Sequence, residues 1–502
     1  MAGRGMALRA LAATVALGAI AQGGVAWGAG PQPGTPEYIQ RDNQNMQDAY
    51  GRQTAPDGQL SQKYIQAGGA NVSASYLQQV AEQAANPTRP ILDPGQLVPG
   101  WNGGNPYRLN WDGTRGQRIR ISFTNRYGAL LRGDVYAPLP GATDPYTGAE
   151  LQGPFPAIVI TTGSIQGSEK MYEWLAEDLA ERGYVVLTYD VQGQGTSETL
   201  PHQGPQADFP YCDPSATPAP GEQNGCPGVP FQQTSNFVYG TEDALDFLLS
   251  TPDAPYANPA AGSAQVNQFN PFWKLIDRKP DAHSVTPGRT TKVGIIGHSL
   301  GAAAVSYVQG IDPRVETVVA LDKLSAGANP TFGVNPNPVV PGLGIQSEYG
   351  FNVEPYWMMG GSSISPTPQS PSQAPDPKRE EKTGFDGWRQ KGVDSMVIVP
   401  RASTHLEYTD IAYALPASRY GQDVASWYTQ AWLDKYLKHD KTADDRLLAT
   451  KFTYLEPVGD NKWAPVELDR AQRLSFYFCS GFGFHAGAKL VENKDIAGVG
   501  GC

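Results

Sequence analysis

From residue 156 onward, short apolar runs alternate with longer stretches in which apolar residues return every three to four positions. Those two periods mark buried strands and amphipathic helices. Pro156 to Thr161 reads as a buried strand, and Glu169 to Arg182 as a helix with Leu175, Leu179 and Ala180 on its buried face. Gly183 sits where a C-cap glycine belongs. Tyr184 to Asp190 is the next strand, Asn236 to Leu249 the next helix, and Val293 to Ile296 a β-branched strand running into the helix formers Ala302 to Val305. Val315 to Leu321, Gly342 to Ser347 and Met396 to Pro400 continue the strands. Tyr420 to Lys438 is a helix carrying Val424, Trp427, Trp432 and Leu437. Ahead of this series, Arg118 to Phe123 and Ala129 to Leu139 flank the turn Asn125 to Gly128, a hairpin pattern. The alternation predicts an α/β fold with a doubly wound, mostly parallel sheet, opened by an antiparallel hairpin.

The remainder lacks this periodicity. Residues 30–116 are polar and rich in Gln, Asn, Gly and Pro, with one helix-compatible piece near Ser75 to Ala85. They read as an N-terminal extension. Residues 117–447 read as one α/β domain, broken by insertions at 200–232, 252–290 and 355–392, and 448–502 as a tail with two strands. Gly193-Gln194-Gly195 lacks the third glycine of a dinucleotide fingerprint, so no nucleotide is expected there.

Composition adds a compartment. Arg4 and Arg9 precede the apolar stretch Leu11 to Ala21, and Ala26 to Gly30 supplies small residues for cleavage. Residues 1–29 therefore read as a secretory signal. The apolar run is short of the about 20 residues that span a bilayer, and no later stretch is long enough. Removing the signal lowers the formal charge of -11 by a further two. Such an acidic protein repels nucleic acid and anionic membranes, so neither is expected as a partner. The four cysteines fit export, and local pairing gives Cys212–Cys226 and Cys479–Cys502. No Cys-x-x-Cys or His-x-x-x-His spacing is present, and no metal is expected.

The stretch with chemistry is Gly297-His298-Ser299-Leu300-Gly301, placed between a buried strand and a helix. That context turns a serine sharply outward and aims helix N-terminal amides at it. Ser299 is the candidate nucleophile, and the amide of Leu300 a candidate donor to an oxyanion.

With this elbow, the Trp174 to Val186 helix and strand, and Ala431-Trp432-Leu433-Asp434-Lys435-Tyr436-Leu437 followed by Asp440, residues 117–447 resemble the α/β-hydrolase superfamily. They look most like its secreted cutinase-like polyester hydrolases and dienelactone-hydrolase relatives. The resemblance implies the chain order serine, acid, histidine. His405, His439 and His485 follow Ser299, and His405 stands in a loop after the Met396 to Pro400 strand, where ligand-facing loops lie. Two carboxylates compete for the acid. Glu348 stands where the polyester hydrolases carry it, and Asp322 ends the preceding strand; Asp322 is favoured. The second oxyanion donor is expected in the loop after Thr161, from Gly163, Ser164 or Ile165. The implied activity is cleavage of small or polymeric carboxylic esters through an acyl-enzyme, by a monomer without cofactor. A peptidase or amidase on the same fold, and a non-catalytic binding protein, are the alternatives.

Overall fold

The computed structural model describes residues 30–56, 58–69, 104–164, 168–198, 234–289, 291–329, 333–410 and 420–502, with residues 73, 77 and 81. The apolar runs assemble into one ten-stranded sheet. Its strands are β1 (Gly116–Thr124), β2 (Leu130–Pro138), β3 (Ala157–Thr161), β4 (Val185–Tyr189), β5 (Val293–His298), β6 (Thr317–Leu321), β7 (Gly342–Ile345), β8 (Ser395–Ile398), β9 (Gly481–Ala486) and β10 (Lys489–Asn493). In space they run β1-β2-β4-β3-β5-β6-β7-β8-β9-β10. The block from β4 to β8 is parallel. The hairpins β1–β2 and β9–β10 flank it antiparallel on either side. The protein is thus mixed α/β with a mostly parallel central sheet, as the alternating pattern predicts.

Alternate residues of the central strands feed two layers, because side chains point to opposite faces with period two. Ile158, Ile160, Val186, Ile296, Val319, Leu321 and Leu343 pack with helices α2 (Glu173–Glu181) and α6 (Tyr420–Leu437). Val159, Val185, Leu187, Ile295, Val318 and Ala320 pack with α3 (Thr234–Leu248) and α4 (Leu300–Ile311). Burying each Val, Ile or Leu side chain among them contributes about 1.5–3 kcal/mol. Burial on both faces is why these strands read as continuous apolar runs. Among the described residues, no helix is long and apolar enough to cross a membrane.

Three features depart from the sequence reading. Residues 355–392 end in a helix, α5 (Glu380–Gln390), whose Trp388 is buried against the sheet and donates its indole N–H to the Val340 carbonyl at 2.9 Å. It is a covering helix of the fold, interrupted by the Ser/Pro-rich excursion before it. The tail supplies β9 and β10 and so completes the sheet, and Cys479–Cys502 bridges it with a Cα–Cα distance of 5.9 Å. The extension carries a helix, α1 (Pro36–Thr54), N-capped by Thr35, well before the stretch that the pattern favoured. Residues 1–29, the insertion 200–232 with Cys212 and Cys226, and most of Ser75 to Ala85 lie outside the described residues.

Candidate functional site

β5 ends at His298 and α4 begins at Leu300, so the chain reverses at Ser299 with φ 55° and ψ -119°. A non-glycine residue there is strained by roughly 1–3 kcal/mol. The glycines make the turn sterically feasible. A Cβ on Gly297 would lie 2.2 Å from the Gly301 carbonyl oxygen, and one on Gly301 would lie 2.5 Å from the carbonyl oxygens of Thr161 and Thr162. The Ser299 amide donates to the Leu321 carbonyl at 3.0 Å, which ties the turn to the end of β6. Leu300 is the first residue of α4, where helix amides have no acceptor within the helix.

The register then brings the acid alongside. His298 pairs with Leu321, so Ser299 and Asp322 leave adjacent strand ends together. The His405 Nε2 lies 2.9 Å from the Ser299 Oγ, and its Nδ1 lies 2.7 Å from the Asp322 Oδ2. An ionised carboxylate only accepts, so the Nδ1 carries the proton and the Nε2 faces the serine hydroxyl as acceptor. The Ser347 hydroxyl donates to the same Asp322 Oδ2. Burial pushes the Asp322 carboxyl up, but the hydrogen bonds from His405 and Ser347, with the attraction of the His405 ring when it is protonated, hold it below its ordinary value. The His405 amide donates to the Gly350 carbonyl at 3.0 Å, and the Phe351 ring stands edge-on to the imidazole at 4.7 Å.

His298, a variable position of the motif, does more than the sequence reading assigned to it. Its ring is fully buried, its Nε2–H donates to the His405 carbonyl at 2.9 Å, and its Nδ1 accepts from the Tyr172 hydroxyl at 2.7 Å. Burial and the nearby His405 push its pKa down to about 3, so the ring is neutral. The Gly163 amide donates to the Tyr172 oxygen at 2.9 Å, which removes it from the oxyanion candidates. The loop nevertheless passes close to the serine, since a Cβ on Gly163 would lie 3.1 Å from the Ser299 Cβ. Ser164 follows on that loop, half-buried, and Ile165 lies outside the described residues.

Glu348 is not the partner of His405. It is buried, and its Oε2 accepts from the side-chain amide of Asn45 on α1 and from the Ala402 amide at 2.6 Å. Burial pushes its carboxyl up. Leu321 pairs with Ile345, so Gln346 is level with Asp322 and Glu348 lies two residues farther along the loop. The other two candidate histidines are elsewhere, His439 against Asp281 at 2.8 Å and His485 against Asp394 at 2.8 Å. Asp134, Glu169 and Glu173 lie close enough together to hold an ion. Arginine occupies that position already: Arg120 reaches Asp134 at 3.0 Å and Glu169 at 2.7 Å, and Arg118 reaches Glu173 at 2.7 Å.

Compared with known proteins, the chain matches no family model, and no curated protein matches it.

Proposed function

We propose that the chain is an exported serine hydrolase of carboxylic esters, with the α/β-hydrolase arrangement that its elbow and strand order resemble. The observation that carries this reading is the hydrogen-bonded series Ser299 Oγ, His405 Nε2, His405 Nδ1 and Asp322 Oδ2, at 2.9 and 2.7 Å, built on a strained strand-to-helix turn. In this mechanism the Ser299 oxygen attacks the ester carbonyl carbon while His405 takes its proton at Nε2. The carbonyl electron pair moves onto oxygen, where the Leu300 amide and the Ser164 amide are the candidate donors that stabilise it. Collapse expels the alcohol, protonated by His405, and leaves the acyl group on Ser299. Water then repeats the sequence and releases the acid. Asp322 keeps the imidazole in the required tautomer and offsets the charge it acquires.

The Cys479–Cys502 bridge supports an oxidising compartment. Turnover of p-nitrophenyl esters of graded acyl length by the purified protein, set beside peptide anilides, tests the activity. Esters are expected to be cleaved and anilides not. Ser299→Ala is expected to lower ester turnover by many orders of magnitude with the fold intact. Ester turnover by Ser299→Ala within tenfold of wild type would contradict the reading. Faster cleavage of anilides than of esters would move the protein to the peptidases.

A further inference from the structure

The buried side of α1 is formed by Tyr38, Asp42, Asn45, Ala49 and Gln53, spaced as one face of a helix. Most of these residues are polar, and Asn45 makes the contacts nearest the candidate site. Its Nδ2 donates to the Glu348 Oε2 and to the Tyr349 hydroxyl at 2.9 Å, and its Oδ1 accepts from the Arg401 Nε at 2.8 Å. One fully buried amide therefore joins the segment after β7 to the loop after β8. Glu348 strengthens that junction by accepting the amide of Ala402, a residue held at φ 56° three positions before His405.

The residues on either side of the gripped pair touch the acid and the histidine. Ser347, just before Glu348, donates its hydroxyl to Asp322. Gly350, just after Tyr349, accepts the His405 amide at 3.0 Å. Tyr349 and Ser403 are also joined, through an amide-to-carbonyl bond of 2.9 Å. A shift of the 348–349 segment would displace both partners of the Asp322–His405 contact, and catalysis tolerates little displacement there.

We propose that Asn45 and Glu348 are positioning residues for the Asp322–His405 pair, so that helix α1 of the N-terminal extension is a working part of the hydrolytic site. The proposal rests on the hydrolase reading above. The helix has independent anchors: Tyr38 packs against Tyr356 at 4.7 Å, Asp42 accepts from the Tyr477 hydroxyl at 2.6 Å, and Asp48 pairs with Arg401. Losing the Asn45 amide therefore leaves α1 docked while loosening the 348–349 segment, which keeps its bonds to Ala402 and Ser403.

Steady-state ester hydrolysis by the purified full-length protein tests this. Asn45→Ala is expected to lower kcat tenfold or more with KM within about twofold, and to slow fluorophosphonate labelling by the same factor. Glu348→Ala should match it. Glu348→Gln, which keeps an oxygen to accept from both Asn45 and Ala402, should remain within about threefold of wild type. The double variant Asn45→Ala/Glu348→Ala should be no slower than the slower single, because the two act through one junction. If Asn45→Ala does not fold, Arg401→Gln, which removes the donor to the Asn45 oxygen together with the Asp48 pair and leaves the Tyr356 and Tyr477 anchors, is read in its place with the same kcat criterion. A variant that only melts earlier while kcat per folded molecule stays at the wild-type value would overturn the proposal, as would a loss confined to KM. A wild-type protein that neither turns over esters nor reacts with the probe would instead refute the hydrolase reading, and this proposal with it.

Discussion

At the scale of single residues, the choice between two carboxylates is decided by reach. Asp322 has a short side chain fixed by His405 and Ser347, whereas Glu348 spends its carboxylate on Asn45 and Ala402. Asp322→Asn should cut kcat/KM by about 10⁴, the size seen when neutralising a triad acid imposes the wrong tautomer. Steady-state kinetics on a soluble ester checks it, and a loss of less than tenfold would remove Asp322 from the role. His298 gives a second residue-scale prediction. Its folded pKa of about 3 lies below the ordinary value of 6.5, so between those pH values the unfolded chain binds more protons than the folded one. The stabilisation is fully present above 6.5 and is lost as pH falls toward 3, by about 1.4 kcal/mol per pH unit. Between pH 6.5 and 4.5, the unfolding free energy measured in denaturant should fall by roughly 2–3 kcal/mol more for wild type than for His298→Gln. Asp322 is held below its ordinary value, so its carboxyl stays ionised in the folded protein over that window. Equal losses would show that His298 is not held neutral.

At the scale of elements, legibility followed burial chemistry. Strands buried on both faces and helices with apolar stripes were readable, and so was the elbow, because its glycines and flanking periods are local signals. Glu348 and Asp322 both follow apolar strands, and only the register of β6 against β5 and β7 separates them. Register is a non-local property that no single strand's pattern carries. Helix α1 escaped because the face it buries is Tyr38, Asp42, Asn45, Ala49 and Gln53, which looks like a solvated stretch to any hydrophobic count. The tail reads as two strands but holds four: a separate hairpin of Lys451–Gly459 with Lys462–Asp469, and the β9–β10 pair, whose place beside β8 no local pattern carries. The bridge that ties this element down has a sequence separation of 23. Closing a loop of that size stabilises by about 3 kcal/mol on the chain-entropy account. Cys502→Ser should therefore lower the unfolding free energy by about that amount in denaturant titration, with ester turnover at 25 °C preserved. An unchanged midpoint would mean the tail is held by β9 and β10 pairing alone.

At the scale of the whole molecule, helix α1 of the extension and strand β9 of the tail both pack on the half of the sheet that carries the candidate site. The extension places α1 against the segments that hold Asp322 and His405, while the tail adds β9 to β8, the strand that leads into the His405 loop. Helix α1, which reads as part of an appendage in the sequence, thus helps to fix the segments after β7 and β8 relative to one another. The most direct test of the central claim is peptide mapping by mass spectrometry after reaction with a fluorophosphonate, which phosphonylates a serine only where a neighbouring base has activated it. The account predicts a single adduct, on Ser299, that is absent from Ser299→Ala and much slower to form in Asp322→Asn. A folded wild-type protein that gives no adduct, or one modified at another serine, would contradict it.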